Sequence, residues 1–438
     1  MGISSALYSG VSGLKTNSHA MSVIGNNLSH TNTVGFKGAR TVFSDLLSSS
    51  VSGSGGTSQI GRGVNLSKVD NMFSQGTFES TESGLDVAIE GDSFFMLKEA
   101  GNDTMFYSRA GAFRFDENGY LINPEGYRVQ GQQYNVQTGQ LTPGDPSDII
   151  VANTGLIEAN ATTAITLNTN LDASAVEPTV AFDHTLPATY NYSSSTTVYD
   201  SLGNSHLVTT YFRRNDAIAP TAPATSVWEW FWTADVDDGA GGTITIGGPT
   251  SDAAGVNVAQ GNLQFLNNGD LSLPANGGPV ALPGIDWNNG SAASAINMTF
   301  STTQYNSASV VISQDQDGYG AGDLTSVDID ENGIVVASYS NGEQINIAQL
   351  TLSKFQNPGG LQMAGSNMFI ATAAAGPPRS GLPGPELGKL FTNSLEQSNV
   401  DMGTEFVRMI TVQRGFQANS KIITTVDELL GELINLKR

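Results

Sequence analysis

Apolar residues recur every seven positions near both ends of the chain, in two neighbouring columns of a helical heptad. At the N-terminus these positions are Ile3, Leu7, Leu14, Met21, Ile24 and Leu28. At the C-terminus they are Met402, Met409, Val412, Phe416, Ile423, Val426, Leu430 and Leu433. The pattern predicts one amphipathic helix within residues 1–30 and another within residues 396–438.

Polar residues mark the inner borders of both predicted helices. Ser398 and Asp401 fit a capping box ahead of the C-terminal helix. The N-terminal helix runs into Gly25–Lys37, whose Asn, Ser, Thr and Gly residues favour turns. Taken alone, each helix fits an ordinary surface helix on a globular core. Together they predict a discontinuous coiled-coil domain, in which the two ends pair with each other and then with further copies.

Within one chain, the two predicted helices bury too few apolar side chains to be stable. Their apolar side chains are too few to offset the conformational entropy that ordering both segments costs. We therefore expect frayed ends in the isolated chain and ordered ends in an assembly.

Alternation of polar and apolar residues predicts β-strands between the two ends, most clearly in Thr196–Arg214 and Thr225–Val236. Tight hairpins are predicted at Asn118-Gly119, Asn332-Gly333 and Asn341-Gly342, because Asn-Gly pairs supply positive φ angles.

Three tryptophans alternate within one predicted strand, at Trp228, Trp230 and Trp232, and so share one face. We expect this face to be a buried core. The alternative is an exposed aromatic face that binds sugar rings, as in a secreted carbohydrate-binding β-protein.

These elements predict a multidomain α+β protein with mostly antiparallel β outer domains inserted one within another. The predicted divisions are 1–30 with 396–438 (helical domain), 31–70 with 373–395 (connecting region), 71–145 with 309–372 (first β domain) and 146–308 (inserted outer β domain). Within the connecting region, Ser48–Gln59 is rich in Ser and Gly and predicts a flexible linker. Ala373–Gly388 is rich in Pro and Gly and predicts a semi-extended linker.

Composition and charge exclude several kinds of partner and several kinds of reactive site. The 438-residue chain has a net charge of −22, which argues against nucleic acid and against anionic membrane surfaces. It has no cysteine, so disulfides, thiolate metal sites and cysteine nucleophiles are excluded. No apolar run is long enough to span a membrane, and no secretory signal pattern opens the chain.

Charge is distributed unevenly along the chain. Residues 1–44 carry Lys15, Lys37 and Arg40 and no acid, and residues 396–438 carry six acids and five bases. Residues 151–310 carry thirteen acids and two bases. Near-neutral ends can pack copy against copy, whereas an acidic middle stays in water. This predicts a polymer with a packed inside and a solvated outside.

Candidate chemistry is sparse. None of the four histidines pairs at metal-ligand spacing, and no G-x-S-x-G motif, P-loop or complete G-x-G-x-x-G occurs. Asp315–Asp323 and Asp235–Gly242 have the composition of calcium loops but lack the closing Glu of an EF-hand, so we expect turns with solvated carboxylates. We expect no catalytic, cofactor or metal site.

Two terminal stretches resemble one known family. Ser12–Arg40 resembles the N-terminal signature of the bacterial flagellar rod and hook axial proteins, and Leu395–Arg438 resembles their C-terminal signature. Tyr199–Val208 and Gln316–Gly342 resemble the hook members of that family. The signature positions in this chain are Asn26, Asn27, Gly35, Phe36, Lys37, Ser398, Asn399, Val400, Asp401, Gln413 and Arg414.

The resemblance implies a structural subunit of the flagellar hook, a curved helical tube that transmits torque from rod to filament as a universal joint. It implies terminal helices in the inner tube and sliding outer β domains. It also implies an extracellular location reached through the flagellar type III export apparatus without cleavage. Implied partners are further copies of the chain, the distal rod protein, the hook cap protein and the hook–filament junction protein. A distal rod or hook–filament junction protein is the alternative within the family.

Overall fold

The computed structural model describes residues 2–46, 49–53, 56–135, 139–151, 156–238, 240 and 242–435. One helix lies at each end of this part of the chain: α1, Gly2–Ser29, and α2, Met402–Asn435. The prediction of a helix at each terminus is therefore confirmed. Neither α1 nor α2, the α-helices of the described residues, is long and apolar enough to cross a membrane.

Strands fill most of the chain between the helices. They are β1 Ala39–Asp45, β2 Ser49–Gly53, β3 Gly56–Ile60, β4 Val64–Asn71, β5 Phe78–Ser80, β6 Val87–Glu90, β7 Phe94–Lys98, β8 Met105–Ser108, β9 Arg114–Phe115, β10 Leu121–Ile122, β11 Arg128–Asn135, β12 Gln140–Leu141, β13 Ser147–Asp148, β14 Leu156–Ile157, β15 Ala164–Asp172, β16 Tyr192–Tyr199 and β17 Ser205–Arg214. They continue with β18 Ser226–Asp237, β19 Thr243–Gly247, β20 Gly261–Phe265, β21 Leu271–Leu273, β22 Val280–Ala281, β23 Asn297–Phe300, β24 Thr303–Tyr305, β25 Val310–Gln316, β26 Gly322–Ile329, β27 Ile334–Tyr339, β28 Gln344–Leu350, β29 Leu352–Lys354, β30 Gln362–Gly365, β31 Met368–Ile370, β32 Arg379–Gly381, β33 Lys389–Thr392 and β34 Ser394–Glu396.

Two compact units divide the chain. Unit 1 comprises Met1–Thr154, Ser326–Ser338 and Gln344–Arg438, and unit 2 comprises Gly155–Thr325 and Tyr339–Glu343. Strand pairing in both units is mostly antiparallel; in unit 2, β15 pairs in parallel with β23 and β24.

The main sheet of unit 1 has the strand order β30-β31-β8-β7-β11-β28-β27. Strand β7 lies inside this sheet, and both of its faces are buried. Phe95 and Leu97 pack into one apolar cluster with Val335 and Leu350, whereas Phe94 packs into a second cluster on the opposite face. A strand with alternate residues in two cores must be covered on both sides.

Unit 2 contains two sheets around one apolar cluster. One sheet has the order β22-β23-β15-β24, with β25 also paired to β15, and the other has the order β16-β17-β18-β20-β21, with β19 paired to β18. Trp228, Trp230 and Trp232 of β18 are buried in this cluster. The prediction that the tryptophan face is core is confirmed, and the face is not exposed for sugar binding.

All three predicted hairpin turns are found, but their conformation differs from the prediction. Only the glycines have positive φ, at Gly119 (80°), Gly333 (77°) and Gly342 (89°), whereas the preceding asparagines do not. Each glycine N–H donates to the carbonyl oxygen three residues earlier. The turns therefore need one left-handed residue each, and only the glycine fills that requirement.

The capping prediction for α2 requires a correction. Helix α2 begins after Asp401, whose Oδ1 accepts a hydrogen bond from the Thr404 N–H at 2.6 Å. Asp401 is the N-cap, because its carboxylate reaches the third residue of the helix. Ser398 instead accepts from the Val400 N–H and lies before the helix.

Both predicted linkers contain paired strands. Ser48, Ser54 and Gly55 of the Ser/Gly-rich segment lie outside the described residues, but β2 and β3 within it pair antiparallel. In the Pro/Gly-rich segment, β32 pairs with β29. The pairing of β2 with β3 differs from the flexible linker predicted for Ser48–Gln59, because backbone hydrogen bonds need no particular side chain, whereas the short strand β32 agrees with the semi-extended backbone predicted for Ala373–Gly388.

In one of the two Asp-rich turns, an exposed carboxylate also forms hydrogen bonds to the protein. Asp317 accepts hydrogen bonds from the Thr163 and Ala164 N–H groups at 2.8 and 2.9 Å, and also from the Thr163 hydroxyl. Asp315, Asp317 and Asp323 are all exposed, so the expectation of solvated carboxylates in this turn is confirmed. Gly239 and Gly241 of the other turn lie outside the described residues. Among the residues described, no group of three or more His, Cys, Asp or Glu side chains could hold a metal ion.

Candidate functional site

Helices α1 and α2, together called the helix pair, lie side by side and run in opposite directions. A Cβ atom placed on Gly10 would lie 3.2 Å from Ile423 Cγ1, and one placed on Gly13 would lie 2.5 Å from Asn419 Oδ1. Nearer the other end, Asn27 Nδ2 lies 3.4 Å from Glu405 Oε2. Positions therefore rise along α1 as they fall along α2.

Most of the α1 residues buried in the helix pair are small or polar. On α1 the buried positions are Gly10, Gly13, Thr16, Ala20, Ile24 and Asn27. Such positions recur at three- and four-residue spacing and so form one helix face. Because Gly13 has no side chain, the Asn419 side chain packs directly against the backbone of α1, where a methyl group would already clash with it.

The predicted heptad positions fall into three groups by exposure. Ile24 and Val426 are buried. The half-buried positions are Leu7, Leu14, Met21, Leu28, Met409, Val412 and Ile423, and the exposed ones are Met402, Phe416 and Leu430. The side chains of Ile3 and Leu433 lie outside the part that the structure describes. The leucine column of α1 is thus only partly covered within one chain, and its role in packing between subunits stays a prediction.

At its base the helix pair meets a network of buried polar groups, which we call the junction: Asn27, Gly35–Ala39, Arg109, Glu396–Asp401 and Glu405. The junction includes the last turn of α1, the segment after it, the segment before α2 and the first turn of α2. Asn27 closes one side of it, since its Oδ1 accepts from the Ala39 N–H at 3.0 Å and its Nδ2 donates to the Ala39 carbonyl at 2.8 Å. Glu405 is buried beside Asn27 and accepts from Arg408.

The centre of the junction is a buried ionic group. Lys37 Nζ donates to Glu396 Oε1 at 2.6 Å and to the Ser74 carbonyl at 2.8 Å. Glu396 also accepts from the Gly76 N–H at 2.8 Å and from Arg109 Nη1 at 3.4 Å. One carboxylate thus faces two cations, and the side chains of Lys37, Arg109 and Glu396 are all fully buried.

Burial dominates the electrostatics of these two cations. Loss of water lowers the pKa of Lys37 below its ordinary value, although the Glu396 carboxylate opposes this in part. Burial likewise lowers the pKa of Arg109, again against the attraction of Glu396. A buried charge is tolerated only when it is paired and hydrogen-bonded, so Glu396 is needed wherever Lys37 and Arg109 are charged.

Gly35 and Phe36 are tightly packed within the junction. Gly35 has φ +67°, and a Cβ atom on it would lie 2.5 Å from the Ala110 nitrogen, so a side chain is excluded. Its N–H donates to the Glu396 carbonyl at 2.7 Å. Phe36 is buried and stacks on the His30 ring with centroids 4.6 Å apart.

Asn399, in the segment before α2, forms hydrogen bonds to the segments that follow α1 and β4. Its Oδ1 accepts from the Gly38 N–H at 2.8 Å, and its Nδ2 donates to the Met72 carbonyl at 2.7 Å. Val400 lies next to Gly38, where a Cβ atom would come within 2.9 Å of Val400 Cγ2. The structure therefore brings Asn27, Gly35–Lys37 and Asn399–Asp401 into one region.

Other signature residues are not part of this network. Asn26, Gln413 and Arg414 lie on exposed faces of the helices. Conversely, the sequence reasoning missed Glu396, Glu405 and Arg109. A buried lysine needs a charged or hydrogen-bonding partner, but only the fold shows that Lys37 is buried and that its partner is Glu396.

A cavity of about 340 Å³ opens where α1, β1 and α2 meet. Its apolar lining includes Val23, Phe43 and Val407, and its charged lining consists of Arg40, Arg408 and Glu405. Both arginines reach solvent, and Arg408 pairs with Glu405 at 2.5 Å, so the lining combines apolar side chains with charges of both signs.

Comparisons with known proteins agree with the terminal signatures. The family model "Flagella basal body rod protein" matches residues 7–37, and "Flagellar basal body rod FlgEFG protein C-terminal" matches residues 392–436. Between them, "Flagellar hook protein FlgE/F/G D1 domain" matches residues 88–170 and "Flagellar basal body protein FlaE D2 domain" matches residues 170–319.

Similar proteins span the whole chain. The flagellar hook protein FlgE of Borreliella burgdorferi is 35% identical over 455 residues, covering 99% of each chain. The flagellar hook protein FlgE of Salmonella typhimurium is 34% identical over 433 residues, covering 98% of each. The crystal structure of Helicobacter pylori flagellar hook protein FlgE2 shares the fold, with a TM-score of 0.51 at 14% identity over 73% of this chain and 99% of that one. By its match to full-length relatives and to the family models along its length, the chain belongs to the flagellar hook protein FlgE family.

Proposed function

We propose that this chain is a structural subunit of the bacterial flagellar hook. Copies of it assemble into a curved, flexible helical tube that acts as a universal joint and transmits torque from rod to filament. Membership in the hook protein family supports this assignment, and the exposed apolar surface of the helix pair carries it. We assign no reaction to the chain.

The helix pair leaves many large apolar side chains in contact with solvent. Tyr8 is 70% exposed, Val407 65% and Ile434 68%. Other exposed apolar residues on the two helices are Val11, Met402, Phe406, Ile410, Phe416, Ile422, Leu429 and Leu430. Soluble monomers rarely expose apolar patches of this extent, and such patches mark interaction sites. Copies of the same helix pair supply the missing contacts.

The arrangement of the domains follows from this packing. The helical domain, 1–30 with 396–438, forms the inner tube as a coiled coil between and within subunits. The connecting region, 31–70 with 373–395, leads outward to the first β domain, 71–145 with 309–372, and to the inserted domain, 146–308. The excess of acids in residues 151–310 favours a solvated outer surface, where contacts between subunits are weak enough to slide.

The family also supplies candidate partners. We propose that the tube meets the distal rod protein at one end and the hook–filament junction protein at the other, and that it grows beneath the hook cap protein. Export proceeds through the flagellar type III apparatus, without signal-peptide cleavage, to the outside of the cell. A rod or junction role is less well supported, because the full-length relatives at 33–35% identity are named hook proteins.

Electron microscopy tests the proposal directly. The purified full chain, concentrated under polymerising conditions, should form tubes. A double variant, Phe406→Ser with Ile410→Ser, removes two exposed apolar side chains from α2 and should form none. Because both side chains are exposed, unit 1 should unfold at the same urea concentration as in the unmodified chain. Val176→Ser, at an exposed apolar residue of unit 2, is the matched control and should form tubes. Absence of tubes from the unmodified chain would contradict the proposal.

A further inference from the structure

Six Asn-Gly pairs occur in the chain. Such a pair is chemically labile, because glycine has no side chain to hinder an attack of its backbone nitrogen on the side-chain carbonyl carbon of the asparagine. The attack needs a glycine N–H that can lose its proton and turn towards that carbon. A hydrogen bond from the N–H to a carbonyl oxygen holds the proton and fixes the backbone. Asn-Gly pairs with this hydrogen bond are therefore protected.

Five of the six glycines are held in this way. Each N–H donates to the carbonyl oxygen three residues earlier, at distances of 2.9–3.1 Å, in Gly119, Gly269, Gly277, Gly333 and Gly342. Gly290 differs, since its N–H makes no hydrogen bond within the part of the chain that the structure describes. Gly290 is exposed, and a Cβ atom on it would meet nothing within 4 Å. The surroundings of Gly290 are therefore open to water.

The pair Asn341-Gly342 resembles Asn289-Gly290 in every other respect that bears on this chemistry. Asn289 and Asn341 are both half-buried, and each accepts through Oδ1 from the N–H two residues later, at 3.0 Å. This hydrogen bond places the side-chain carbonyl beside the intervening glycine nitrogen. Both glycines have a φ of 89°. The difference is the glycine N–H, which donates to the Tyr339 carbonyl in Gly342 and to none of the described residues in Gly290.

We propose that Asn289 is a site of spontaneous deamidation, with water as the only co-reactant. The Gly290 nitrogen gives its proton to solvent and forms a bond to Asn289 Cγ, while the bond from Cγ to Nδ2 breaks and the amide nitrogen leaves as ammonia. The resulting cyclic imide takes up one water molecule. Opening at one carbonyl gives aspartate, and opening at the other gives isoaspartate. In both products a carboxylate replaces the amide.

The product has a defined effect on unit 2, because Asn289 contacts a buried carboxylate. Asn289 Nδ2 donates to Asp200 Oδ2 at 2.6 Å, and the Asp200 side chain is fully buried. Deamidation removes this donor and brings a second carboxylate to the first, and two carboxylates that share a site repel each other. His206 Nε2 and the Asn204 amide, at 3.0 and 3.1 Å from the same oxygen, are the donors that remain there. The loop that contains Asn289 therefore detaches from Asp200, and unit 2 loses stability.

Peptide mapping of the aged monomer tests the site. The full-length chain is incubated in mildly alkaline buffer, and mass spectrometry follows the replacement of NH2 by OH at each Asn-Gly pair. Asn289 should convert at least about fivefold faster than Asn341, because the hydrogen bond of Gly342 must break first. In the urea-unfolded chain the two rates should be equal. A rate at Asn289 no higher than that at Asn341 in the folded chain, or a difference that persists in urea, would overturn the assignment.

Asn289→Asp tests the consequence without incubation. Unit 2 of this variant should unfold at a lower urea concentration than unit 2 of the unmodified chain. Asn341→Asp is the matched control, because Asn341 Nδ2 donates to the Gly320 carbonyl at 2.7 Å, so this variant loses a hydrogen bond without bringing a carboxylate to Asp200. The shift should be larger for Asn289→Asp. Equal midpoints for the two variants would overturn the inferred effect on unit 2. Both experiments use the monomer, so their failure is distinguishable from failure of the proposed function.

Discussion

Lys37 Nζ lies 2.6 Å from Glu396 Oε1, and neither side chain is exposed to solvent. The pair links the segment that follows α1 to the strand that precedes α2, across 359 positions of sequence. Both helices are therefore joined to the β-strands of unit 1 at one place, although they belong to opposite ends of the chain. For a subunit whose ends pack in a tube, this ionic link sets where the helix pair is anchored.

Glu396→Gln should destabilise unit 1 strongly. The substitution leaves Lys37 and Arg109 buried without a counter-charge, which costs about 3–5 kcal/mol when one partner of a buried ion pair is removed. Urea unfolding of the monomer measures the loss. Glu386→Gln is the matched control, because Glu386 pairs with Arg379 at an exposed position. Equal unfolding midpoints for the two variants would show that the buried group contributes little.

Two glycines of α1 should respond in opposite directions to alanine. Gly25 has open space around it, so Gly25→Ala should stabilise the helix by about 1 kcal/mol through helix propensity alone. Gly13→Ala gains the same propensity, but its methyl group would lie 2.5 Å from Asn419 Oδ1.

Asn419 is held by a hydrogen bond from its Nδ2 to the Gly415 carbonyl at 2.8 Å, so it resists displacement. Overpacking of this kind costs about 1–3 kcal/mol. The dissociation temperature of assembled tubes should therefore rise for Gly25→Ala and fall for Gly13→Ala. A rise for both variants would mean that the helices do not approach closely at Gly13 in the assembly.

Unit 2 should lose stability in acid through Asp200. This buried carboxylate accepts hydrogen bonds from His206 at 3.0 Å, Asn289 at 2.6 Å and Asn204 at 3.1 Å. Burial alone would raise its pKa, but these hydrogen bonds outweigh burial and hold the pKa of Asp200 below its usual 3.8. A lowered folded-state pKa means that the contribution is complete above 3.8 and is lost as the pH falls from 3.8 towards the folded value.

Asp200→Asn removes the charge and should cost about 1.5–3 kcal/mol near pH 7, the range for hydrogen bonds to a charged group. Because the unmodified carboxylate loses its advantage in acid, the difference between the two proteins should shrink at about pH 3. Urea unfolding of both proteins near pH 7 and at about pH 3 measures this difference in the free energy of unfolding. A difference that stays constant would show that the Asp200 charge does not contribute to the folding of unit 2.

Local patterns in the sequence predicted the parts of the fold that depend on neighbours along the chain. Alternation placed Trp228, Trp230 and Trp232 on one buried face, and Asn-Gly pairs located the turns at Gly119 and Gly333. The heptads located both helices, because the spacing of apolar residues alone defines a helical face.

Contacts between distant segments could not be predicted in this way. Nothing near Arg109 or Glu396 in the sequence points to Lys37, since their meeting depends on the pairing of β34 with β5 and on the packing of unit 1. The close approach at Gly13 was missed because the heptad argument counts large apolar residues, whereas this contact uses the absence of a side chain. Composition likewise misjudged β2 and β3, whose pairing depends on backbone groups that every residue carries.

Amide hydrogen exchange tests the central claim most directly, comparing α1 and α2 in the dilute full-length monomer and in assembled tubes. The claim is that the helix pair gains its missing apolar contacts from other copies. It predicts fast exchange along both helices in the monomer, strong protection of the same amides in the tube, and protection of the β7 and β18 amides in both states. Equal protection of α1 and α2 in the monomer and in the tube would contradict it.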